Sequence, residues 1–400
     1  MELFLSQNFK ITFIILLFLS SSFLLAGCWD RKEVNDMAFV LGAAIDKRGD
    51  KNIELTIQVL QPRNVSGSQQ GQGSGVPIIS VRSSIGENMA DAASKLQTKI
   101  SRQIFWGHCK VFIIGKKLGK KGGLNQEIDF LLRHPEPREN AHLFVSDGKA
   151  ADVMELMPPL DRYEGEALRR LSQMRTGATV TVNDFVEMLT GDSGGAILPL
   201  LKILPLKHGE GKAETAAYIA GTAIFRRDKM IGQIDPKVTR GVLWLRDEIK
   251  VLSITAHPKN KGSISLDPIR QQTRLIPKIK NGKWEIMAKI TSENTIVQNG
   301  TNLNPMSTSV VKRIEYEAKK DLKQRIQQSL NEVQKGMKVD VFGFAEAFHR
   351  KYPKEWEKNQ DHWEKVLPQL HVDMDITMRV RRPGLSTTPA GLREEEIKKK

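Results

Sequence analysis

From Ile11 to Gly27 the sequence runs ITFIILLFLSSSFLLAG, seventeen residues without a charge, and stops at Cys28. As a helix this run is about 25 Å long, short of the roughly 30 Å hydrocarbon core of a bilayer. Small residues stand just before the cysteine, as a cleavage site needs. The segment therefore reads as an export leader, residues 1–27, and no later apolar run is long enough to span a membrane. What folds is the chain after it, outside the cytoplasm. Only Cys28 and Cys109 carry thiols, too few for a disulfide framework or a structural zinc site, so the body must stand on packing alone. At 400 residues, 40% hydrophobic and 27% charged, it holds two or three domains and excludes a polytopic membrane protein, a collagen or a mostly disordered chain. The 61 basic against 46 acidic residues leave a net charge of +15, which points to an acidic neighbour. Export argues against nucleic acid in that role.

The pattern predicts a mixed α/β (α+β) multi-domain protein. Ile53 to Leu60 and Pro77 to Val81 read as strands, separated by a low-complexity loop from Ser66 to Gly75. Ile85, Met89, Ala93, Leu96 and Ile100 recur at helical spacing behind a capping box of Ser84 and Glu87. Strand Lys110 to Ile114, helix Leu124 to Arg133, strand Ala141 to Val145 and helix Ala150 to Met157 follow, so residues 28–157 form an N-terminal α/β unit. Helices Glu164 to Met174 and Asn183 to Leu189 and the apolar run Ala196 to Leu206 make a small middle unit, 158–212, closed by the polar stretch His208 to Glu214.

Residues 213–383 form the third unit. Its expected antiparallel meander is built from Ala220 to Phe225, Met230 to Gln233, Gly241 to Leu245, Ile249 to Thr255, Ser263 to Leu266, Thr273 to Lys280 and Trp284 to Ser292, with Asn281-Gly282 as a hairpin turn. Val310, Ile314, Ala318, Leu322, Ile326, Leu330, Val333 and Met337 put one apolar stripe on a single long helix. Glu315 with Lys319 and Asp321 with Arg325 add ion pairs on its surface. Leu370 to Val380 alternates apolar with polar and closes the sheet, whose dry face the helix covers. Residues 384–400 are a polar tail.

The residues offer little chemistry. Gly191-Asp192-Ser193-Gly194-Gly195 resembles the nucleophile loop of trypsin-like serine proteases, with His108 upstream. That fold is all-β, whereas helical patterns lie between His108 and Ser193, and the loop reads as a polar turn. Cys109 reads as a small buried apolar residue, since neighbours on a strand such as His108 and Cys109 point to opposite faces. The histidines show no zincin spacing, and no metal or cofactor is implied. Gly115 to Gly122, with four lysines, is a solvated loop or a basic lobe that meets anionic lipid. A hydrolase using Ser193 and a solute-binding lipoprotein with an inter-domain cleft are the rivals to a tethered, non-enzymatic binding subunit.

Leu25-Ala26-Gly27-Cys28 resembles the bacterial lipobox, with cleavage between Gly27 and Cys28 and lipidation of Cys28; two acyl chains on one thioether hold a protein on a membrane where one chain binds only marginally. Joined to its sequel Trp29-Asp30-Arg31-Lys32-Glu33-Val34-Asn35-Asp36, the motif is similar to the start of the Ger(x)C family of spore germination lipoproteins. Gly42 to Asp46, Gly221 to Phe225, Gly232, Gly241 to Leu245, Asp340 to Tyr352 and Trp356 extend the resemblance in order along nearly the whole chain. It implies a C subunit of a germinant receptor, anchored on the outer face of the spore inner membrane beside membrane-spanning A and B subunits. No catalytic residue comes with the family, and no motif marks the partner-binding surface or the germinant.

Overall fold

The computed structural model describes residues 12–13, 34–61, 78–206, 215–250, 253–258, 262–382, 384, 386 and 388–398. Gly27, Cys28, the loop from Ser66 to Gly75 and the stretch His208 to Glu214 lie outside the described residues. The architecture is mixed α and β, in two sheets clad by helices.

The larger sheet is built around β1 (Met37–Arg48), which is covered on both faces. Ala43 and Ile45 point into one apolar core and Ala44 into another. The next strand inward, β5 (Val111–Gly115), repeats the pattern, with Phe112 and Ile114 on the first side and Val111 and Ile113 on the second. Such double burial explains why these strands read as continuous apolar runs rather than alternating ones. The remaining strands are β2 (Asn52–Gln61), β3 (Ile78–Gly86), β4 (Gln103–Phe105), β6 (His142–Ser146), β7 (Gly195–Ile203), β8 (Ala217–Arg226) and β9 (Lys229–Ile234). Their order is β3-β2-β1-β5-β6-β7-β8-β9, with β4 also paired to β1; β1, β5, β6 and β7 run parallel.

Three expectations are corrected here. The strands at Ala220 to Phe225 and Met230 to Gln233 complete this larger sheet rather than the C-terminal one, because β8 folds straight back on β7 with Ile224 opposite Ile197. Ser84 belongs to β3, and helix α1 (Met89–Gln97) is capped instead by Asn88, whose side chain accepts the Asp91 N–H at 3.0 Å. The lysine-rich stretch after Gly115 is a short helix, α2 (Lys116–Lys121), that buries Leu118 and Gly119.

Four further helices clothe the larger sheet: α3 (Asn125–Arg133), α4 (Ala150–Met154), α5 (Glu164–Met174) and α6 (Val182–Thr190). The segment Gly241 to Leu245, expected as a strand, lies in helix α7 (Pro236–Leu245). Asp235 caps it by accepting the Val238 N–H at 2.8 Å, and Pro236 at the first helical position sets φ for the turn.

The smaller sheet has the order β10-β11-β12-β13, from β10 (Ile254–Ala256), β11 (Ile264–Lys280), β12 (Lys283–Asn299) and β13 (His371–Arg382). The strands expected at 263–266 and 273–280 are one continuous β11, which turns through Asn281 (φ 51°) and Gly282 (φ 73°) into β12. Both turn residues occupy the left-handed region that a tight hairpin demands. β13 pairs with β12 in parallel, so the sheet is not a pure meander. A parallel partner needs a crossover, and the crossover is α8 (Thr308–Ser329), continued by wider π-helical turns over Leu330–Met337. Val310, Ile314, Ala318, Leu322 and Ile326 are buried on α8, which packs against β13, β10 and α7, and Leu330 and Val333 are buried on the turns that continue it. Asp321 pairs with Arg325 as expected, but Glu315 instead accepts the Val380 N–H at 2.8 Å and so pins the helix to β13.

Candidate functional site

A cleft of about 720 Å³ opens between the end of α6 and the segment that precedes Phe344. Its floor is the Gly191-Asp192-Ser193-Gly194-Gly195 turn between α6 and β7, and its opposite wall is the segment from Asp340 to Glu346. The two walls are locked together. A Cβ on Gly195 would stand 2.1 Å from the Asp340 carbonyl oxygen, so only glycine allows this approach. Glu346 reaches across to accept the Ser193 N–H at 3.2 Å, and Asp192 Oδ2 meets His349 Nδ1 at 2.7 Å.

Asp340 is the keystone on the far side. Its carboxylate is 1% exposed and accepts the N–H groups of Phe342, Phe344 and Ala345, the last at 2.7 Å, organising the entry to helix α9 (Phe344–Lys351). Burial, and then the neighbouring Glu346 charge, push its pKa up to about 6 against the pull of those three donors. Behind it Phe344 and Phe348 enter the core, where Phe348 meets Trp284 at 4.5 Å and Trp363 at 5.9 Å, and Trp363 meets Trp356 at 5.1 Å.

The side chains that line this cleft are largely spent on one another. Arg246 donates to Glu248 and to the Val341 carbonyl, and Thr181 and Asp184 cap α6 reciprocally. Among the described residues Ser193 Oγ accepts only the Gly195 N–H, at 3.3 Å. Among the described residues no histidine nitrogen is hydrogen-bonded to Ser193. His108 packs edge-on to Phe39 and Phe105, its pKa lowered by burial and by Lys110 and Arg138. His142 lines the same cleft as Ser193, but its Nδ1 is buried without a partner among the described residues, and burial, followed by Arg169, lowers its pKa. Among the described residues Ser193 therefore has no hydrogen-bonded base of the kind a serine nucleophile needs, nor a carboxylate orienting one. Cys109 is fully buried, and burial raises its thiol pKa well above the ordinary range, which removes the thiolate that chemistry would need. Among the described residues no cluster of three metal-ligating side chains occurs and no helix is long and apolar enough to cross a membrane.

A family model for the spore germination protein N-terminal domain matches residues 30–203, and a second, described as spore germination B3/GerAC like, C-terminal, matches residues 220–384. Spore germination protein KC of Bacillus subtilis (strain 168) is 30% identical over 391 residues, covering 93% of this chain and 96% of that protein. The chain belongs to the Ger(x)C family. Spore germination protein B3 of the same organism is 25% identical, over 94% of this chain and 97% of its own. The crystal structure of the GerBC protein superposes with a TM-score of 0.53 at 20% identity, spanning 88% of this chain and all of that one, and so shares the fold.

Within this Ger(x)C chain the motif residues fall on structural joints. Asp46 closes β1 by accepting the Ala150 and Ala151 N–H groups, and a Cβ on Gly115 would collide with its Oδ1. Gly241 lets α8 approach α7 until Ser329 Oγ donates to the Val238 carbonyl at 2.7 Å; a Cβ there would meet that hydroxyl at 2.0 Å. The Asp340–Glu346 lock escaped the sequence reading. The pair of acids flanking Gly343 in DVFGFAE was its visible signal, but the Ser193 turn it grips lies some 150 residues upstream.

Proposed function

We propose that this chain is the lipid-anchored C subunit of a germinant receptor. In this reading Cys28 is acylated after cleavage between Gly27 and Cys28, and the body rests on the outer face of the spore inner membrane against membrane-spanning A and B subunits, without performing a reaction. The observation that carries it is the 30% identity to spore germination protein KC, sustained over 93% of the chain. The junction supports the non-enzymatic part, because Asp340 and Glu346 accept backbone N–H groups and, among the described residues, no histidine nitrogen is hydrogen-bonded to Ser193.

Cys28→Ala tests the anchor. The variant is expected to accumulate as an unprocessed or unlipidated precursor and to weaken nutrient-triggered germination, with its body still folded. Recovery of unaltered amounts in the membrane fraction, resistant to detergent-free washing, would show a transmembrane anchor instead. Co-purification of the wild-type protein with both membrane-spanning subunits from spore membranes tests the assembly.

A further inference from the structure

The larger sheet carries a surface that the junction does not use. Helix α2 presents Lys117 and Lys120 to solvent, and among the described residues neither has an ion-pair partner. At its end Lys121 lies against Lys47, and this second ammonium adds to burial in lowering the Lys47 pKa. At its start Lys116 shares Asp147 with Lys202, one carboxylate between two cations. Directly beyond Lys202 the chain exposes Ile203 (39%), Leu204 (44%) and Leu206 (45%), and Tyr218, opposite Lys202 across the β7–β8 pair, is 37% exposed. Tyr218 and Lys202 share one side of the sheet, and exposed apolar side chains thus follow closely on the lysine that shares Asp147 with α2.

We propose that this face is a second membrane contact, in which the apolar side chains after β7 enter the headgroup layer of an anionic bilayer while the lysines of α2 lie over its charge. The charge is complementary, and Lys117 and Lys120, exposed and without an ion-pair partner among the described residues, gain most from an anionic surface. Wet apolar residues beside lysines match an interfacial surface, which takes apolar area and cations together. Chain length sets the pose. Eight residues lie between Cys28 and Met37, a reach of at most about 30 Å, and the face lies at the far end of β1, some 35 Å from Met37. Both contacts are made together when β1 lies along the membrane instead of standing upright on it. The proposal rests on the anchored reading above.

The lipidated chain, reconstituted in vesicles, carries an environment-sensitive dye at Leu204→Cys. Cys28 is acylated and Cys109 is buried, so the new thiol alone reacts. Vesicles of phosphatidylcholine with 30 mol% phosphatidylglycerol are expected to shift the dye emission to the blue relative to phosphatidylcholine alone. The triple variant Lys117→Glu, Lys120→Glu, Lys121→Glu, and separately 0.5 M salt, are each expected to abolish the shift. An unchanged emission in anionic vesicles overturns the proposal, as does a shift that appears only when the membrane-spanning subunits are added, which makes the face a protein-docking surface. A chain that never enters vesicles refutes the anchor. In that case flotation of the unlipidated chain with anionic but not neutral vesicles still supports this face, and its failure to float overturns it.

Discussion

Glu164 opens α5 fully buried, with one carboxylate oxygen accepting the Ala217 N–H at 3.0 Å and the other without a partner among the described residues. Burial pushes its pKa up to about 7. A folded-state acid with a raised pKa holds its proton after the unfolded chain has lost it, so stability falls as pH rises from about 4.5 through 7. Glu164 accounts for about 3 kcal/mol of that fall, and Asp340 adds a change of the same sign up to pH 6. Thermal melts at pH 5 and pH 8 are expected to differ less for Glu164→Gln than for the wild type; equal slopes would show that this carboxyl is hydrated. Ser193→Ala is a milder change. Among the described residues its hydroxyl accepts a single long hydrogen bond, so the variant is expected to germinate normally and melt within about 0.5 kcal/mol of wild type. Loss of both germination and a hydrolytic activity in a folded variant would reinstate the nucleophile.

Elements with a strong period were legible in the sequence, and those whose character comes from tertiary packing were not. The stripe on α8 was readable because its buried positions fall at three and four, and so were the β11–β12 turn and the alternation in β13. Central β1 was not read as a strand: Gly42, Ala43 and Ala44 have low strand propensity, and their use is set by what lies above them, since a Cβ on Gly42 would press on Val111 and Met154. The segment Gly241 to Leu245 misled for the converse reason, as apolar residues buried all round give no period, and only Asp235-Pro236 announced a helix. At the junction, the protease-like turn was read correctly as a turn, but its grip on Glu346 joins residues too far apart in sequence for local pattern to reveal. The α8 assignment carries its own test. Ile326→Asp puts a charge where the side chain is 0% exposed and is expected to cost several kcal/mol, whereas Lys323→Glu on the wet face is expected to stay within about 0.5 kcal/mol. Equal losses in thermal melts would mean that the helix is rotated from its described position.

Across the whole molecule, the Gly195–Asp340 contact and the Glu346 bridge tie the α6–β7 turn to the segment that leads into α9, beside the α7–α8 packing. Gly195→Val is expected to force these walls apart and to create a protease-sensitive site between α6 and β7; limited proteolysis with the wild-type pattern would show that the junction yields without opening. The parallel pairing of β12 with β13 has a different consequence, one of timing. Glu285 pairs with His371, so while the chain emerges from its N-terminus a seventeen-residue strand waits with one side open until nearly the last segment arrives. Contacts so distant in sequence form slowly, and an open strand edge is a template for other chains. Until β13 arrives the chain therefore carries an open strand edge, and a chain stopped just before His371 is expected to accumulate as insoluble material rather than as a soluble fragment.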